Sequence, residues 1–219
     1  EVSFFSSIAL VLDSTRILTD PSRSVEGLIL LLTRLLRRLK EAAIYPKVIQ
    51  QIYHQLIFYI STQLSNRLLS TRELCSPTVA LSIKMGLSFV DGWIQETSKI
   101  EESLVEDCRD ELVYISDVVS VLMTVSYQDD LYQSIESLDK SFPSLNILQL
   151  KTLVDSYTPD KYIKHGVSPK IQESITKLAK KASSKDKNKG ELLFPVILSL
   201  AKIKPIDPIS DDSSLELSE

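Results

Sequence analysis

The segment from Ile49 to Leu68 limits the possible fold more than any other part of this sequence. Its apolar residues recur every three or four positions through about five turns, which is the period of an α-helix. Phe58 and Tyr59 widen the apolar stripe, so we expect this helix to be buried on more than one side. Such a helix needs other helices around it, and the predicted fold is therefore an all-α bundle of long amphipathic helices.

Helix start signals predict several neighbours for this central helix. Pro46 opens it, and the same proline ends a preceding helix that starts near Ser24. Ser76-Pro77 and Ser168-Pro169 each combine an N-cap residue with a proline at the first helical position. We also predict a first helix over Phe5 to Leu12, a helix carrying Leu81, Met85, Phe89 and Trp93, an α-helical seam from Leu104 to Leu122, a short helix over Leu131 to Leu138, and a helix opened by Pro143.

The C-terminal part predicts a different kind of structure. Leu192 to Leu198 is apolar but contains Pro195, which favours an extended strap laid over the bundle. We expect residues 1–200 to form a single helical domain and the acidic residues 201–219 to form a frayed tail. Since the first residue is Glu1 and not Met, we expect the chain to be a fragment of a larger protein.

Cysteine content and charge narrow the location and the class of partner. Two cysteines are too few for a disulfide framework, which favours a reducing, cytoplasmic environment. The longest apolar stretch, residues 28–36, is interrupted by Thr33 and Arg34 and is too short to span a membrane. Acidic residues concentrate in 91–139 and lysines in 161–190. This division favours charged protein partners over nucleic acid.

The sequence contains no arrangement of residues typical of catalysis. His54 and His165 are its only histidines, and neither has an acid or a thiol at helical spacing. No metal-ligand spacing, phosphate-binding glycine loop or nucleophile motif occurs. We therefore expect no catalytic residue, no metal and no cofactor, and we expect Cys75 to be a buried structural thiol.

Three arginines form the candidate partner-binding site. Arg34, Arg37 and Arg38 stand at i, i+3 and i+4, so they share one side of a helix. A solvated outer face is the simpler interpretation of this pattern. A docking site for an acidic partner is the sharper one, because guanidinium groups bind carboxylates with defined geometry.

A series of short motifs resembles the dilute (DIL) domain of the globular tail of class V myosins. Asn66-Arg67-Leu68-Leu69 ends the central helix, Cys75-Ser76 follows a charged step, and Asp91-Gly92-Trp93 lies in the next helix. Residues 148–153, Tyr157-Thr158-Pro159 and Phe194-Pro195 are similar to later parts of the family. The resemblance covers residues 25–198.

This resemblance implies a non-catalytic module that binds adaptor proteins on organelles or vesicles and, in some members, small GTPases. It would link a motor to its cargo. The alternative that stays open is a DIL domain of a non-motor scaffold, of the fungal ankyrin-repeat or GTPase-effector and adhesion type, acting in membrane organisation or signalling.

The motif residues are expected to be structural, with Cys75 and Trp93 packed inside and the partner surface outside the segment from Leu56 to Glu96. These residues are Asn66, Leu68, Leu69, Cys75, Ser76, Trp93, Tyr157, Pro159, Phe194 and Pro195.

Overall fold

The computed structural model describes residues 21–100, 105–126, 141–185 and 193–195, and every regular element in these ranges is a helix. The all-α prediction is confirmed for this part of the chain. The helices predicted over 5–12 and 131–138, and the tail 201–219, lie outside the described residues. The elements are α1 (Pro21–Glu41), α2 (Pro46–Ser70), a 3₁₀ helix (Arg72–Leu74), α3 (Pro77–Ile100), a second 3₁₀ helix (Glu106–Leu112), α4 (Val113–Thr124), α5 (Ile147–Ser156) and α6 (Pro169–Lys185).

Prolines and serines fix where several helices begin. α1, α2, α3 and α6 each start at a proline, whose missing N–H would have no partner in the first turn anyway. Ser76 Oγ accepts a hydrogen bond from the Val79 N–H at 3.4 Å, and Ser168 Oγ accepts one from the Ile171 N–H at 3.4 Å. Both predicted serine-proline starts are confirmed.

The central helix α2 is buried on several sides, as predicted from its broad apolar stripe. Its buried residues are Ile49, Tyr53, Leu56, Ile57, Phe58, Ile60, Ser61, Thr62, Ser65, Leu68 and Leu69. On one side, Phe58 packs edge-on against Tyr114 of α4 with ring centroids 5.6 Å apart. Tyr114 in turn packs against Phe194, with ring centroids 5.0 Å apart, so residue 194 closes this side of α2.

Two predicted helices begin later than expected. The seam predicted as α-helical from Leu104 is a 3₁₀ helix over Glu106–Leu112 and becomes α-helical only at Val113. The helix predicted to open at Pro143 opens at Ile147. The Asn146 side chain accepts the Leu148 and Gln149 N–H groups at 3.0 and 2.9 Å, while Gln149 Oε1 accepts the Asn146 N–H at 2.9 Å. This capping box sets the start, and the proline does not.

Two hydrophobic clusters fill the interior. The first joins the C-terminal end of α2 and the N-terminal half of α3 to α4, α5, α6 and Phe194. The second joins α1 to the N-terminal half of α2, the C-terminal half of α3 and the 3₁₀ helix that precedes α4. Among the helices described here, none combines the length and the apolar character needed to cross a membrane.

Candidate protein-binding surface

Helix α3 exposes three large apolar side chains in a row. Leu81, Met85 and Phe89 are 49%, 54% and 55% exposed, and they follow one another at intervals of four residues. The buried side of the helix is formed instead by Val79, Ala80, Ile83, Gly86, Val90, Ile94 and Thr97. Helix α3 is therefore apolar on two sides, one buried and one exposed.

Helix α1 runs beside α3 in the same direction. Val25 lies against Gly86 near one end, where a Cβ on the glycine would be 2.9 Å from Val25 Cγ2. Seven residues farther along α3, the Trp93 Nε1–H donates to Thr33 Oγ1 at 3.0 Å. Leu30, which lies between Val25 and Thr33 in the chain, is 49% exposed. We call the surface formed by Leu30, Leu81, Met85 and Phe89 the α1–α3 face.

Trp93 lies where α1, α2 and α3 meet. Its ring stacks on Tyr53 with centroids 5.9 Å apart and planes 28° apart, and its N–H reaches Thr33 of α1. The side chain is only partly buried, so the expectation that Trp93 is packed inside needs correction. The indole N–H explains this position, since it needs a hydrogen-bond acceptor and finds one at the helix surface.

The three predicted arginines lie on the exposed side of α1. Arg37 Nε is 3.6 Å and Arg38 Nη1 is 3.9 Å from Glu41, with 67% and 77% of the two arginine side chains exposed. Arg34 is also exposed and forms no ion pair with the residues the structure describes. Exposed pairs of this kind contribute only about 0.3–0.5 kcal/mol each. Glu41 thus pairs with two of the three arginines, and the role of all three in partner binding stays a prediction.

A groove of about 790 Å³ runs along the other side of α3, between it and the segment 109–120. Asp91 and Arg109 bridge it through two contacts, Nε to Oδ1 at 2.6 Å and Nη2 to Oδ2 at 3.0 Å. Gln95 Nε2 donates to the same carboxylate at 3.1 Å. Apolar residues such as Leu87 and Val113 line the groove between polar ones. Asp91 therefore holds the 3₁₀ helix Glu106–Leu112 against α3 and is engaged within the protein.

Asn66, another motif residue, holds the chain at Phe194 against α2. Asn66 Nδ2 donates to the Phe194 carbonyl at 2.9 Å, and Asn66 Oδ1 accepts the Phe194 N–H at 2.7 Å. One side chain thereby satisfies both backbone groups of a residue 128 positions away. Leu68, Leu69, Tyr157 and Phe194 are buried in the first cluster, whereas Pro159 and Pro195 are exposed.

Cys75 is an inert buried thiol, as expected. Its Sγ donates to the Leu68 carbonyl at 3.1 Å. Burial, and secondarily the charge of Glu73, raise the pKa of Cys75 to about 11, so the nucleophilic thiolate is scarce at neutral pH. The Cys75 carbonyl accepts the Thr158 N–H at 2.8 Å, which ties the loop after α5 to the start of α3.

Two polar contacts escaped the sequence reasoning because their partners are distant in the chain. His54 Nδ1 lies 3.3 Å from Glu111 Oε1, and both side chains are largely buried. Asp160 binds the first turn of α3 through Thr78, 82 residues earlier. No spacing rule within one helix could have found either pair. Among the described residues, no group of three or more His, Cys, Asp or Glu side chains could hold a metal ion.

Comparison with known proteins identifies the relatives of this chain. Residues 51–161 match the DIL domain family. Myosin-11 of Arabidopsis thaliana is 30% identical over 146 residues, 67% of this chain but 9% of that protein. Myosin-15 of the same plant is 27% identical over 200 residues, 90% of this chain and 13% of that protein. The chain thus spans about a tenth of the length of these relatives.

Solved structures share the fold. The structure described as "Myosin V cargo binding domain" superposes with a TM-score of 0.68 at 15% identity, covering 88% of this chain and 49% of the other. A second, "Structure of Myo2-GTD in complex with Mmr1", superposes with a TM-score of 0.67 at 16% identity, covering 98% of this chain and 54% of the other. A third, of Myo2-GTD in complex with Inp2, gives a TM-score of 0.64 and covers 83% of this chain and 42% of the other, also at 16% identity.

Proposed function

Because this chain belongs to the DIL domain family, we propose that it is the adaptor-binding part of a myosin-like motor in the cytoplasm and links that motor to organelles or vesicles. It acts by surface recognition and catalyses no reaction. The partners are adaptor proteins, and small GTPases are a second class that the family resemblance implies.

The observation that carries this proposal is the half-exposed apolar row Leu81, Met85 and Phe89 on α3. Contiguous exposed apolar surface is uncommon on proteins that bind nothing and marks interaction sites. The relatives support a motor context, since Myosin-11, Myosin-15 and Myosin-H heavy chain of Dictyostelium discoideum all match this region. The structures of Myo2-GTD with Inp2 and with Mmr1 support protein binding by this fold.

The test follows the intact protein, labelled with a fluorescent tag, in its own cells. A motor tail is expected to travel with organelles or vesicles, and this movement stops when actin filaments are depolymerised. Recruitment to a static structure regardless of actin would instead support the non-motor scaffold. Failure of the unaltered protein to associate with any organelle or vesicle would overturn adaptor binding altogether.

A matched pair of variants connects this recruitment to the surface. Met85→Asp places a carboxylate in the middle of the apolar row and is expected to reduce organelle association. Leu148→Asp makes the same kind of change at a residue that is 39% exposed on α5, and should leave association unchanged. Equal loss in both variants would trace the defect to folding and not to the α1–α3 face.

A further inference from the structure

We propose that the α1–α3 face binds one helix of a partner protein, with apolar residues along one side of that helix and carboxylates along its edge. This inference rests on the proposed function and adds the site and the chemistry of the partner. It follows from the shape, the charge and one glycine of this surface.

The shape of the surface suits a helix. α1 and α3 lie side by side, joined at Val25–Gly86 and Thr33–Trp93. Leu81 to Phe89 spans eight residues, or about 12 Å along the helix axis. A partner helix that packs along this row uses apolar residues at i, i+4 and i+7, each in contact with one of the exposed side chains. Met85 and Phe89 are adaptable and aromatic residues of the kind that anchor such contacts.

The charge of the two helices determines which kind of helix fits. Exposed cations outnumber exposed acids over residues 25–41 and α3. The cations are Arg34, Arg37, Arg38, Lys40, Lys84 and Lys99, and the acids are Glu26, Glu41 and Glu96. Arg34, Arg37 and Arg38 are exposed on α1, and within the described ranges Glu41 is the one acid that forms ion pairs with any of them, namely with Arg37 and Arg38. Carboxylates along the edge of the partner helix would form ion pairs with these guanidinium groups, whereas lysines at the same positions would be repelled by them.

Gly92 is a separate indication that a partner can approach the backbone of α3 closely. It lies inside α3, one turn beyond Ser88 and Phe89, where a glycine weakens a helix relative to alanine. Its backbone φ is not positive, and a Cβ added there would meet no atom within 4 Å. Nothing in the described part of the protein therefore requires a glycine at this position. The missing side chain leaves the α3 backbone uncovered at the end of the apolar row, and a partner helix can approach closely at this position, which we call the Gly92 notch.

The binding test uses the whole 219-residue chain and two synthetic peptides of roughly 18 residues, about five helical turns. Both peptides carry leucines at i, i+4, i+7 and i+11. One has glutamates along the flank of this stripe, and the other has lysines at the same positions. Fluorescence anisotropy is expected to show binding of the acidic peptide that is at least about tenfold tighter, with the difference shrinking as salt is raised. Equal binding of the two peptides would overturn the proposal.

Variants of the chain locate the site. Met85→Asp and Arg34→Glu should each weaken binding of the acidic peptide by about tenfold, whereas Leu148→Asp should leave its affinity unchanged. Gly92→Leu places a large side chain at the Gly92 notch, so it should weaken binding of the acidic peptide. Because leucine is a good helix former, the unfolding temperature should not fall. If Gly92→Leu binds the acidic peptide normally, the partner does not approach at Gly92. If Met85→Asp binds it normally, the α1–α3 face is not the binding site and the proposal is wrong.

Two other occupants give distinct results. If a second copy of the chain covers the face, sedimentation will show a dimer that Met85→Asp dissociates. If an anionic lipid surface covers it, phosphatidylserine vesicles will bind the chain, Met85→Asp will abolish this binding, and the acidic peptide will bind no tighter than the basic one. Either result overturns the proposal of a partner helix. Organelle association of the intact protein together with failed peptide binding would refute this inference and leave the proposed function standing.

Discussion

At the scale of single residues, Asp160 connects two distant parts of the chain through four hydrogen bonds. Its Oδ2 accepts the Thr78 N–H at 2.8 Å and the Thr78 hydroxyl at 2.6 Å, while its Oδ1 accepts the Tyr162 and Ile163 N–H groups at 2.8 and 2.9 Å. Burial acts to raise the pKa of Asp160, but the hydrogen bonds from Thr78, Ile163 and Tyr162 outweigh it and lower the pKa from 3.8 to about 2. The carboxylate therefore fastens the loop after α5 to the N-terminal end of α3, where negative charge is favoured.

We expect Asp160→Ala to lower the free energy of unfolding at neutral pH by about 1–2 kcal/mol, as the loss of a helix cap does. Because the pKa is lower in the folded than in the unfolded protein, the contribution of the carboxylate is complete above the unfolded value of 3.8 and is lost as pH falls through about 2. Urea unfolding of both proteins across this range should show their stabilities converging at low pH. Asp155→Ala, at an exposed residue of α5, is the control and should change little. A gap between Asp160→Ala and the unaltered protein that does not narrow in acid would contradict this assignment.

Asn66 allows a second prediction at this scale. Asn66→Asp keeps the size of the side chain but replaces the donor that faces the Phe194 carbonyl with an oxygen. We expect the segment around Phe194 to detach, because the two facing oxygens repel, at a cost of about 1–3 kcal/mol. Hydrogen exchange of the Phe194 amide should accelerate in this variant. Unchanged protection of that amide would show that the packing of Phe194 against Tyr114 holds the segment without Asn66.

At the scale of helices, the close contact of α1 and α3 depends on Gly86. A Cβ at this position would lie 2.9 Å from Val25 Cγ2, closer than carbon atoms normally approach. Val25 is β-branched and has little freedom to move aside. The two helices can therefore lie side by side only because residue 86 has no side chain.

Gly86→Ala and Gly92→Ala form a matched pair on the same helix. Both gain the helix preference of alanine, worth roughly 1 kcal/mol. Gly92→Ala has open space around it, so it should stabilise the protein by about that amount. Gly86→Ala must push α1 away from α3, and overpacking of this kind costs about 1–3 kcal/mol, so the net effect should be destabilising. Thermal unfolding midpoints that move in the same direction for both variants would show that α1 is not held against Gly86.

The helices also show what the sequence could predict. Local signals determined the starts of α2, α3 and α6, because a proline or a serine cap acts on its own first turn. The spacing of Leu81, Met85 and Phe89 predicted the helix itself, but apolar residues at helical spacing identify a stripe without showing whether it faces inward. Val79, Ile83 and Val90 form the alternative stripe of α3, and only packing against α4 and the 3₁₀ helix decides between them. The contacts Asp160–Thr78 and His54–Glu111 could not be predicted, because tertiary structure alone brings those residues together.

At the scale of the whole molecule, the two hydrophobic clusters share their central helices. α2 and α3 run through both clusters, and Leu64 and Leu87 pack against both. A helix cannot be broken in its middle without losing hydrogen bonds and burial on each side of the break. The two clusters should therefore unfold together, even though α1 contacts only the second and α5 and α6 only the first.

This cooperativity can be tested because the only tryptophan, Trp93, packs against the second cluster. Leu122→Ala removes a fully buried side chain from the first cluster and should cost about 2–5 kcal/mol. If the clusters unfold as one unit, Trp93 fluorescence and far-ultraviolet circular dichroism will report the same lowered midpoint in urea. Ile57→Ala in the second cluster is the matched variant and should also give coincident curves. If the Leu122→Ala midpoint shifts by circular dichroism but not by Trp93 fluorescence, the two clusters unfold as separate units. The exposed row on α3, which extends from one cluster to the other, would then not be a single rigid surface.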